Sequence, residues 1–409
     1  MSVTLDEARA LDAADPLRRL RNRFFLPPGV IYLDGNSLGA LPVAAEARVR
    51  EAVTREWGQG LIRSWNDEDW IGAPARVGAK LARLIGAQRH EVVVADSTSV
   101  NIFKLLVAAL RARPDRKVIL TETGNFPTDL YVAGGVASLV PGVEVRALPS
   151  GEVEAAIGED VAVVLLTHVH YKTAARRDMA GVTARAQRAG AIMIWDLSHS
   201  AGAVAVDLNA CNVDLAVGCG YKFLNGGPGA PAFLYVADRW LGELVSPLTG
   251  WMGHAAPFDF VDDYRPAAGV ERFLCGTPPM LGLLALEVGV DLALEVDAQA
   301  LEAKSARLWS LFAGQVESRL AGQGFTQITP REAQRRGSHI AFAHPHGYAI
   351  VQALIARGVI GDFRDPDVMR FGLTPLYLGF EDVWRAVETL GEVMASGGWR
   401  DSPERGRVT

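Results

Sequence analysis

The sequence predicts an α/β fold in which a mostly parallel sheet is covered by helices on both sides. Between residues 92 and 236, short apolar runs alternate with segments of helical periodicity. The apolar runs are unbroken, as is typical of strands buried on both faces. After residue 235 the alternation stops, and shorter strands and helices predict a smaller α+β unit in the C-terminal part.

Local signals predict four elements before the sheet. They are a helix over 4–25 with leucines at helical spacing, a strand over 30–34, a helix over 42–57 and a helix over 73–85. The stretch 58–71 is polar and rich in tryptophan, which favours an ordered loop. We expect Trp57 and Trp70 in the core, and Trp65 either there or in an aromatic substrate pocket.

The remaining elements follow the same rules. Strands are predicted at 92–95, 117–120, 161–166, 191–196 and 213–217, with helices over 98–110 and 178–190. A helical stretch over 280–321 is expected to break near Glu295; strands at 325–328 and 339–343, helices over 348–357 and 380–395 and a frayed end follow. Ligands of open α/β sheets bind at the carboxyl ends of the strands, so functional residues are expected there.

The composition is that of an ordinary globular protein. The chain has 409 residues, 49% of them hydrophobic, and a net charge of −6. This charge favours neither nucleic acid nor an anionic membrane as partner. No apolar run approaches the roughly 20 residues of a membrane span, and no secretory signal is visible. We therefore expect a cytoplasmic location.

Metal binding is not indicated. The three cysteines, Cys211, Cys219 and Cys275, lack the CxxC or Cys/His spacing of metal sites, which predicts reduced thiols. His168 and His170 are two residues apart, but no third ligand has suitable spacing.

Two predicted strands are followed by charged residues at the same rim of the sheet. Asp196 ends the run 191–196, and Lys222 follows the run 213–217 in the turn GYKFLNGG. Alone, the first could be a helix cap and the second a solvated lysine. Together they form the pair that pyridoxal phosphate (PLP) chemistry needs, a lysine that carries the cofactor and a carboxylate that keeps the pyridine nitrogen protonated.

Hydroxyl side chains stand where the strand 92–95 meets the next helix. Thr98 and Ser99 could serve as ordinary helix caps. The free N–H groups and the dipole of a helix N-terminus also bind anions, so the same spot could hold a phosphate. No GxGxxG motif is present to support a dinucleotide instead.

Seven phrases of the sequence, in order, resemble the fold-type I PLP enzymes of the class V aminotransferase group and, within it, the kynureninases. They are YLDGNSLG (32–39), TSVN (98–101), NFPTD (125–129), WDLSHSAGA (195–203), GYKFLNGGPGAPAFLYV (220–236), GWMGH (250–254) and RFGLTPLY (370–377). The resemblance implies a large PLP-binding domain with a mostly parallel, seven-stranded sheet and a smaller α+β domain. The implied bounds are 1–57 for an N-terminal segment on the small domain and dimer partner, 58–285 and 286–396 for the two domains and 397–409 for a flexible tail.

The resemblance also implies the roles of individual residues. Cofactor contacts are implied for Thr98, Ser99, Phe126, Asp129, Thr167, Asp196, His199, Tyr221, Lys222, Trp251 and Thr277. Among them Lys222, Tyr221 and Asp196 are catalytic, Thr98 and Ser99 hold the phosphate, and Phe126 stacks on the ring. Arg370 binds the substrate carboxylate, for which Arg364 is the weaker candidate.

The reaction that the resemblance implies is hydrolysis of L-kynurenine to anthranilate and L-alanine in tryptophan degradation. Thr277 stands where animal members carry an amide, which favours kynurenine over 3-hydroxykynurenine. A homodimer is implied, because the Trp251–Thr277 loop would complete the site of a neighbouring subunit. The alternatives are a cysteine desulfurase or selenocysteine lyase, an aminotransferase, and a non-catalytic PLP-binding protein.

Overall fold

The structure, a computed structural model, describes residues 3–401. Its N-terminal elements are α1 (Leu5–Ala13), β1 (Phe24–Phe25), β2 (Ile31–Tyr32), β3 (Leu41–Pro42), α2 (Val43–Glu51) and α3 (Ser64–Asp67). A 3-10 helix (Arg18–Arg23) follows α1, and a π-helical segment (Ala52–Gly60) continues α2 into a second 3-10 helix (Leu61–Arg63).

The large sheet and its helices occupy the middle of the chain. Its elements are α4 (Ala73–Leu84), β4 (Val92–Val94), α5 (Thr98–Arg111), β5 (Val118–Glu122), α6 (Pro127–Leu139), β6 (Glu144–Leu148), β7 (Val161–Thr167), α7 (Met179–Arg188), β8 (Ile192–Asp196), β9 (Leu215–Gly218), β10 (Phe233–Val236) and α8 (Asp238–Leu241). The seven strands lie in the order β4-β10-β9-β8-β7-β5-β6. Neighbours from β9 to β6 are parallel, and only β10 runs antiparallel to both of its neighbours. The predicted mostly parallel sheet is confirmed.

Burial explains which strands could be predicted. Every residue of β7 and β8 is buried, which matches their unbroken apolar runs. The edge strand β6 is only partly buried and carries Glu144 and Arg146, which pair with each other. A charged, half-exposed edge strand gives no apolar run, so the sequence did not predict β6.

The C-terminal part contains a second, antiparallel sheet in the order β11-β12-β15-β14. Its elements are α9 (Met280–Leu294), α10 (Ala298–Arg319), β11 (Thr326–Gln327), β12 (His339–Ala343), α11 (Gly347–Ile355), β13 (Val359–Ile360), β14 (Asp362–Arg364), β15 (Val368–Gly372) and α12 (Phe380–Ser396). The predicted helix break near Glu295 is confirmed. Asp297 caps α10 by accepting the N–H groups of Gln299 and Ala300.

Three predictions for the N-terminal part are wrong. The α-helix over 4–25 ends at Ala13, because Pro16 disfavours helical conformation in the residue before it. The loop predicted at 58–71 consists mostly of helical turns. Trp70 is buried and donates its indole N–H to Glu56 (2.8 Å), whereas Trp57 is 56% exposed rather than in the core.

The N-terminal segment packs on the C-terminal part. Strand β2 pairs in parallel with β13, and α1 packs against α12. A buried ion pair joins Asp15 to Lys304 (2.7 Å). The frayed end predicted for 397–409 is wrong where the structure describes it: Gly398–Asp401 is a 3-10 helix, and Trp399 packs on the core; 402–409 lie outside the described residues. Within residues 3–401, no helix is long and apolar enough to cross a membrane.

Candidate active site

The carboxyl ends of the central strands border a cavity of about 450 Å³, which we call the active-site cavity. Thr167 and Asp196 are the last residues of β7 and β8 and are paired in register, so the sheet places them side by side. The predicted site residues that line the cavity are Thr98, Ser99, Phe126, Asp129, Thr167, Asp196, His199, Tyr221 and Lys222. Nine residues from five separate stretches of the chain therefore meet at one rim of the sheet.

Lys222 lies at the centre of this group and is buried. Its Nζ is 3.5 Å from Nε2 of His199 and lies over the rings of Phe126 (5.6 Å) and Tyr221 (5.7 Å). Burial lowers the pKa of His199 well below its usual range, and the charge of Lys222 adds to this. His199 is therefore a neutral neighbour of the lysine.

Two buried carboxylates share the floor of the cavity. Burial raises the pKa of Asp196, and burial together with the charge of Asp196 raises the pKa of Asp129 well above its usual range. Oδ1 of Asp196 accepts the N–H of Ser198 (2.7 Å), which favours its charged form. We infer that Asp129 holds the proton of the pair and that Asp196 carries the negative charge.

Asn125 joins the carboxylate of Asp129 to strand β7, a role that the sequence did not predict. Its Oδ1 accepts the hydroxyl of Thr167 (2.5 Å), and its Nδ2 donates to Asp129 (3.3 Å). The residue opens the phrase NFPTD and is fully buried, so its position in that phrase was the available signal.

Tyr221 is a protonated phenol at the mouth of the cavity. Burial raises its pKa, and the negative charges of nearby groups add to this. A tyrosine with a raised pKa stays protonated near neutral pH and can donate a proton.

The start of α5 faces the same cavity. Ser97 is the N-cap and accepts the N–H of Val100 (3.4 Å), so the side chains of Thr98 and Ser99 are not used as the cap. Residues 97–99 offer hydroxyl groups and a helix N-terminus together, and we call them the phosphate cradle. Asp96, which also lines the cavity, directly precedes them.

Arg370 is fully buried but does not line the active-site cavity. Its guanidinium forms a two-pronged ion pair with Asp362 and donates to the carbonyl oxygen of Tyr171 and to the hydroxyl of Ser37 (3.0 Å). Arg364 pairs with the same carboxylate (2.7 Å) and is one-third exposed. Sequence reasoning missed Asp362, which orients both candidate arginines.

Trp251 and Thr277 are the predicted cofactor contacts that lie away from the cavity of their own chain. Trp251 is 37% exposed and contacts the ring of Phe258 (5.7 Å), and Thr277 is exposed. Their position on the surface is what a role in the site of a second copy requires, and that role stays a prediction.

The cysteines show no sign of an activated thiolate. Burial raises the pKa of Cys211, Cys219 and Cys275 alike. Desulfurase chemistry needs a thiolate with a lowered pKa on an accessible segment. Cys219 is the one that lines the cavity, and it is buried beside Ser198.

A larger cavity of about 980 Å³ lies nearby but lacks this chemistry. Two of its arginines are already paired: Arg176 with Glu302 (2.7 Å), and Arg177 with Glu122. Because these charges already compensate each other, the smaller cavity around Lys222 is the better candidate.

The residues of the active-site cavity fit pyridoxal phosphate. Asp196 provides a buried carboxylate for the pyridine nitrogen, Lys222 an amine for the aldehyde, and the phosphate cradle a helix N-terminus for the phosphate. Phe126 is 39% exposed, and its ring meets Tyr171 edge to face (5.3 Å). Among residues 3–401 no cluster of three or more His, Cys, Asp or Glu side chains could hold a metal ion.

Comparison with known proteins decides the family. Residues 301–390 match the family model described as the kynureninase C-terminal domain. The kynureninase of Pseudomonas fluorescens is 52% identical over 403 residues, which are 97% of each chain. The chain belongs to the kynureninase family. A further kynureninase, from Burkholderia mallei (strain SAVP1), is 51% identical over 98% of each chain.

Solved structures support the fold of this kynureninase family member. The apo structure of a cysteine desulfurase from Thermococcus onnurineus NA1 has a TM-score of 0.78 at 18% identity and covers 92% of this chain and 98% of its own. A mutant of C-DES with glycine covalently linked to its PLP cofactor has a TM-score of 0.77 at 18% identity, with 91% and 99% covered. The predicted fold class is therefore confirmed.

Proposed function

We propose that this chain hydrolyses L-kynurenine to anthranilate and L-alanine, with pyridoxal phosphate as its cofactor. The observation that carries the proposal is the buried Lys222 beside the Asp129–Asp196 pair in a chain that is 52% identical to a kynureninase. The desulfurase alternative is disfavoured because burial raises the pKa of all three thiols.

Bound PLP supplies an electron sink for the charge that develops at the substrate Cα. Lys222 would hold the cofactor, and its amine is the group that would remove the Cα proton of the substrate. Asp196, which carries the negative charge of the pair, would keep the pyridine nitrogen protonated, and Asp129 holds the proton of the pair. Phe126 would stack on the ring, and His199 stays neutral beside Lys222, so it does not add a competing positive charge.

Cleavage then needs a water molecule and a proton donor. Water adds to the γ-carbonyl carbon, the Cβ–Cγ bond breaks, anthranilate leaves and Cβ takes a proton. Tyr221 is the candidate donor, because it borders the cavity next to Lys222 and its phenol carries a proton near neutral pH. The residues Thr98 and Ser99 hold the phosphate so that the ring stays in register with these groups.

Arg370 is the candidate partner of the substrate carboxylate. A guanidinium has five N–H donors. Three of its five N–H groups point to Asp362 and Ser37 and one to Tyr171, so a carboxylate can enter by replacing the neutral hydroxyl of Ser37. Asp362 would then continue to hold the plane of the guanidinium.

Assembly and location are also part of the proposal. A homodimer would bring Trp251 and Thr277 of one subunit to the cavity of the other, and the hydroxyl of Thr277 would favour kynurenine over 3-hydroxykynurenine. The division into an N-terminal segment (1–57), a large domain (58–285) and a small domain (286–396) remains a proposal. Three free cysteines suit the reducing cytoplasm.

The test is anthranilate fluorescence on mixing the PLP-loaded protein with L-kynurenine, with 3-hydroxykynurenine in parallel. We expect rapid release of anthranilate and slower turnover of the hydroxylated substrate. Lys222→Ala should abolish both turnover and the visible absorbance of the lysine-bound cofactor, whereas Lys80→Ala, on the surface helix α4, should change neither. Cofactor absorbance without anthranilate would reject the reaction, and cysteine and amino/keto acid pairs would be tested next.

A further inference from the structure

A lysine is buried in the central, largely apolar part of helix α5. Lys104 has no exposed side-chain surface, and the residues from Ile102 to Leu110 on either side of it are apolar. Its Nζ donates to Oδ2 of Asp96 (2.6 Å) and to the carbonyl oxygen of Phe273 (2.6 Å). A fully buried ammonium group is costly unless it is paired, so this arrangement calls for an explanation.

Its partner Asp96 lies at the edge of the active-site cavity. The residue lines the active-site cavity and directly precedes the phosphate cradle, residues 97–99. It adopts a left-handed backbone conformation (φ 47°), which is uncommon for a residue other than glycine. Its side chain is about one-quarter exposed, so a negative charge stands at the edge of the site that must accept a phosphate.

A carboxylate next to a phosphate site is unfavourable by itself. A phosphate monoester carries about two negative charges at neutral pH, and like charges repel strongly in a partly buried site. The ammonium of Lys104 compensates the charge of Asp96 from the side away from solvent. The pair of Lys104 and Asp96 then has no net charge and does not repel an incoming phosphate.

The same lysine also fixes the loop that carries Trp251 and Thr277. Phe273, whose carbonyl it binds, and Cys275, whose thiol lies 3.6 Å from Asp96, belong to this loop. Met252 donates its N–H to the carbonyl oxygen of Cys275 (3.3 Å). The phosphate cradle and the loop expected to reach the neighbouring subunit therefore share one buried anchor.

We propose that Lys104 is a positioning residue for cofactor binding, which holds and neutralises Asp96 so that the phosphate cradle accepts the cofactor phosphate. This inference rests on the proposed PLP function. It assigns a role to a residue that touches neither substrate nor cofactor and acts through Asp96.

The test is a double-mutant cycle on Lys104 and Asp96, in which cofactor affinity is measured. Apoprotein is titrated at pH 8 with PLP and, separately, with pyridoxal, which lacks the phosphate, and visible absorbance is the readout. Lys104→Met should weaken PLP binding about tenfold or more, as expected for one uncompensated charge near a phosphate. Asp96→Asn should strengthen PLP binding, and the double variant should return it close to the wild-type value.

Pyridoxal distinguishes this role from a structural one. Its affinity should change less than about twofold in all three variants, because no phosphate charge is present. Lys80→Met, which removes a lysine whose partners Glu287 and Asp291 do not line the cavity, is the matched control. It should leave both affinities unchanged.

Two results would overturn the inference. Equal weakening of PLP and pyridoxal in Lys104→Met, without recovery in the double variant, would mean that Lys104 only maintains the fold. Unchanged PLP affinity in Lys104→Met would mean that Asp96 exerts no repulsion. Failure of the proposed function is a separate observation, because then the wild-type protein itself would show no visible absorbance with PLP.

Discussion

At the scale of single residues, Arg370 depends on the geometry of its planar group. We predict that Arg370→Lys raises KM for L-kynurenine at least about tenfold, since loss of one charge-assisted hydrogen bond costs roughly 1.5–3 kcal/mol. Steady-state kinetics provide the measurement. Arg364→Lys is the matched control, because Arg364 pairs with the same Asp362 but is one-third exposed. A larger effect in the control would transfer the carboxylate-binding role to Arg364.

A second residue-scale prediction concerns pH. Burial and the charge of Asp362 raise the pKa of Asp34 to about 7, whereas its ordinary value is 3.8. The folded chain thus holds this proton more tightly than the unfolded chain, and the contribution of Asp34 to the free energy of unfolding falls as pH rises from about 4 to about 7.

Asp34→Asn removes this titration. The difference in stability between the variant and the wild type should therefore shift in favour of the variant from pH 5 to pH 8. The measurement is the midpoint of urea unfolding at each of these two pH values. Asp6→Asn, at an exposed position with a side chain 93% accessible, is the control and should show no such trend. An identical pH dependence in Asp34→Asn and wild type would contradict the prediction.

The sequence indicated some site residues and concealed others for a physical reason. Asp196 and Lys222 each follow an apolar strand, so local pattern and sheet geometry together were sufficient. Asp362 and Lys104 act through ion pairs, and a charged residue looks the same in sequence whether it is solvated or paired. For Lys104 a signal was present, since a lysine inside an apolar helix is rarely buried without a partner.

At the scale of elements, the turn GNSLG (35–39) supports the turn that carries Lys222. The N–H of Gly39 donates to the carbonyl oxygen of Tyr221 (2.8 Å). A Cβ atom at position 39 would lie 2.3 Å from the carbonyl oxygen of Lys222 and 2.7 Å from Cα of Asn225, and both are backbone atoms. Only glycine allows the two turns to approach this closely.

We therefore predict that Gly39→Ala displaces the Lys222 turn and lowers kcat/KM about tenfold or more, the size expected for a misplacement near 1 Å. The same variant should show weaker visible absorbance of the bound cofactor. Gly391→Ala is the control, because a Cβ there meets no atom within 4 Å on α12. Normal activity in Gly39→Ala would show that the turn 35–39 accommodates the extra methyl group without displacing Lys222.

Element boundaries were harder to predict than element types. Helices and strands with strong periodicity, such as α10 and β7, were predicted close to their observed bounds. The segment 52–63 becomes π-helical and then 3-10, and no residue pattern distinguishes these from an irregular loop. Its outward-facing apolar side chains, including Trp57, are exposed rather than part of the core.

At the scale of the whole molecule, exposed apolar side chains concentrate in the N-terminal segment. Phe25 and Leu41 are opposite each other in the β1–β3 pair, so both point from one face, and both are exposed. Trp57 ends the same segment, Leu61 and Ile62 follow directly after it, and Ile62 is 77% exposed. A concentration of large apolar groups on a surface favours association with a second copy.

We predict that the protein sediments as a dimer and that Ile62→Glu weakens the dimer about a hundredfold, since burial of a charge at an apolar contact costs several kcal/mol. Activity should fall with the dimer fraction, because Trp251 and Thr277 of the partner would be lost from each site. Ala321→Glu, at an exposed position after α10, should leave the dimer intact. A fully active wild-type monomer would contradict the prediction.

The fold as a whole was predictable because each buried strand of its sheet appears in the sequence as a short apolar run. Buried strands and the phrases around them recur in the expected order, and the resemblance added the number of strands. No local sequence pattern indicates the association of α1 and β2 with the C-terminal part. It arises from contacts between distant parts of the chain, such as the N–H of Phe380 and the carboxylate of Asp12, 368 residues apart.

This packing of α1 and β2 on elements near the other end of the chain has a consequence for biosynthesis. A ribosome adds roughly 5–20 residues per second, so α1 and β2 leave it roughly 20–70 s before α12 and β13 exist to receive them. Throughout that interval the first-made segment, with its large apolar side chains, is the part of the nascent chain most exposed to chaperones and proteases. The start of the chain is thus made first and folded last.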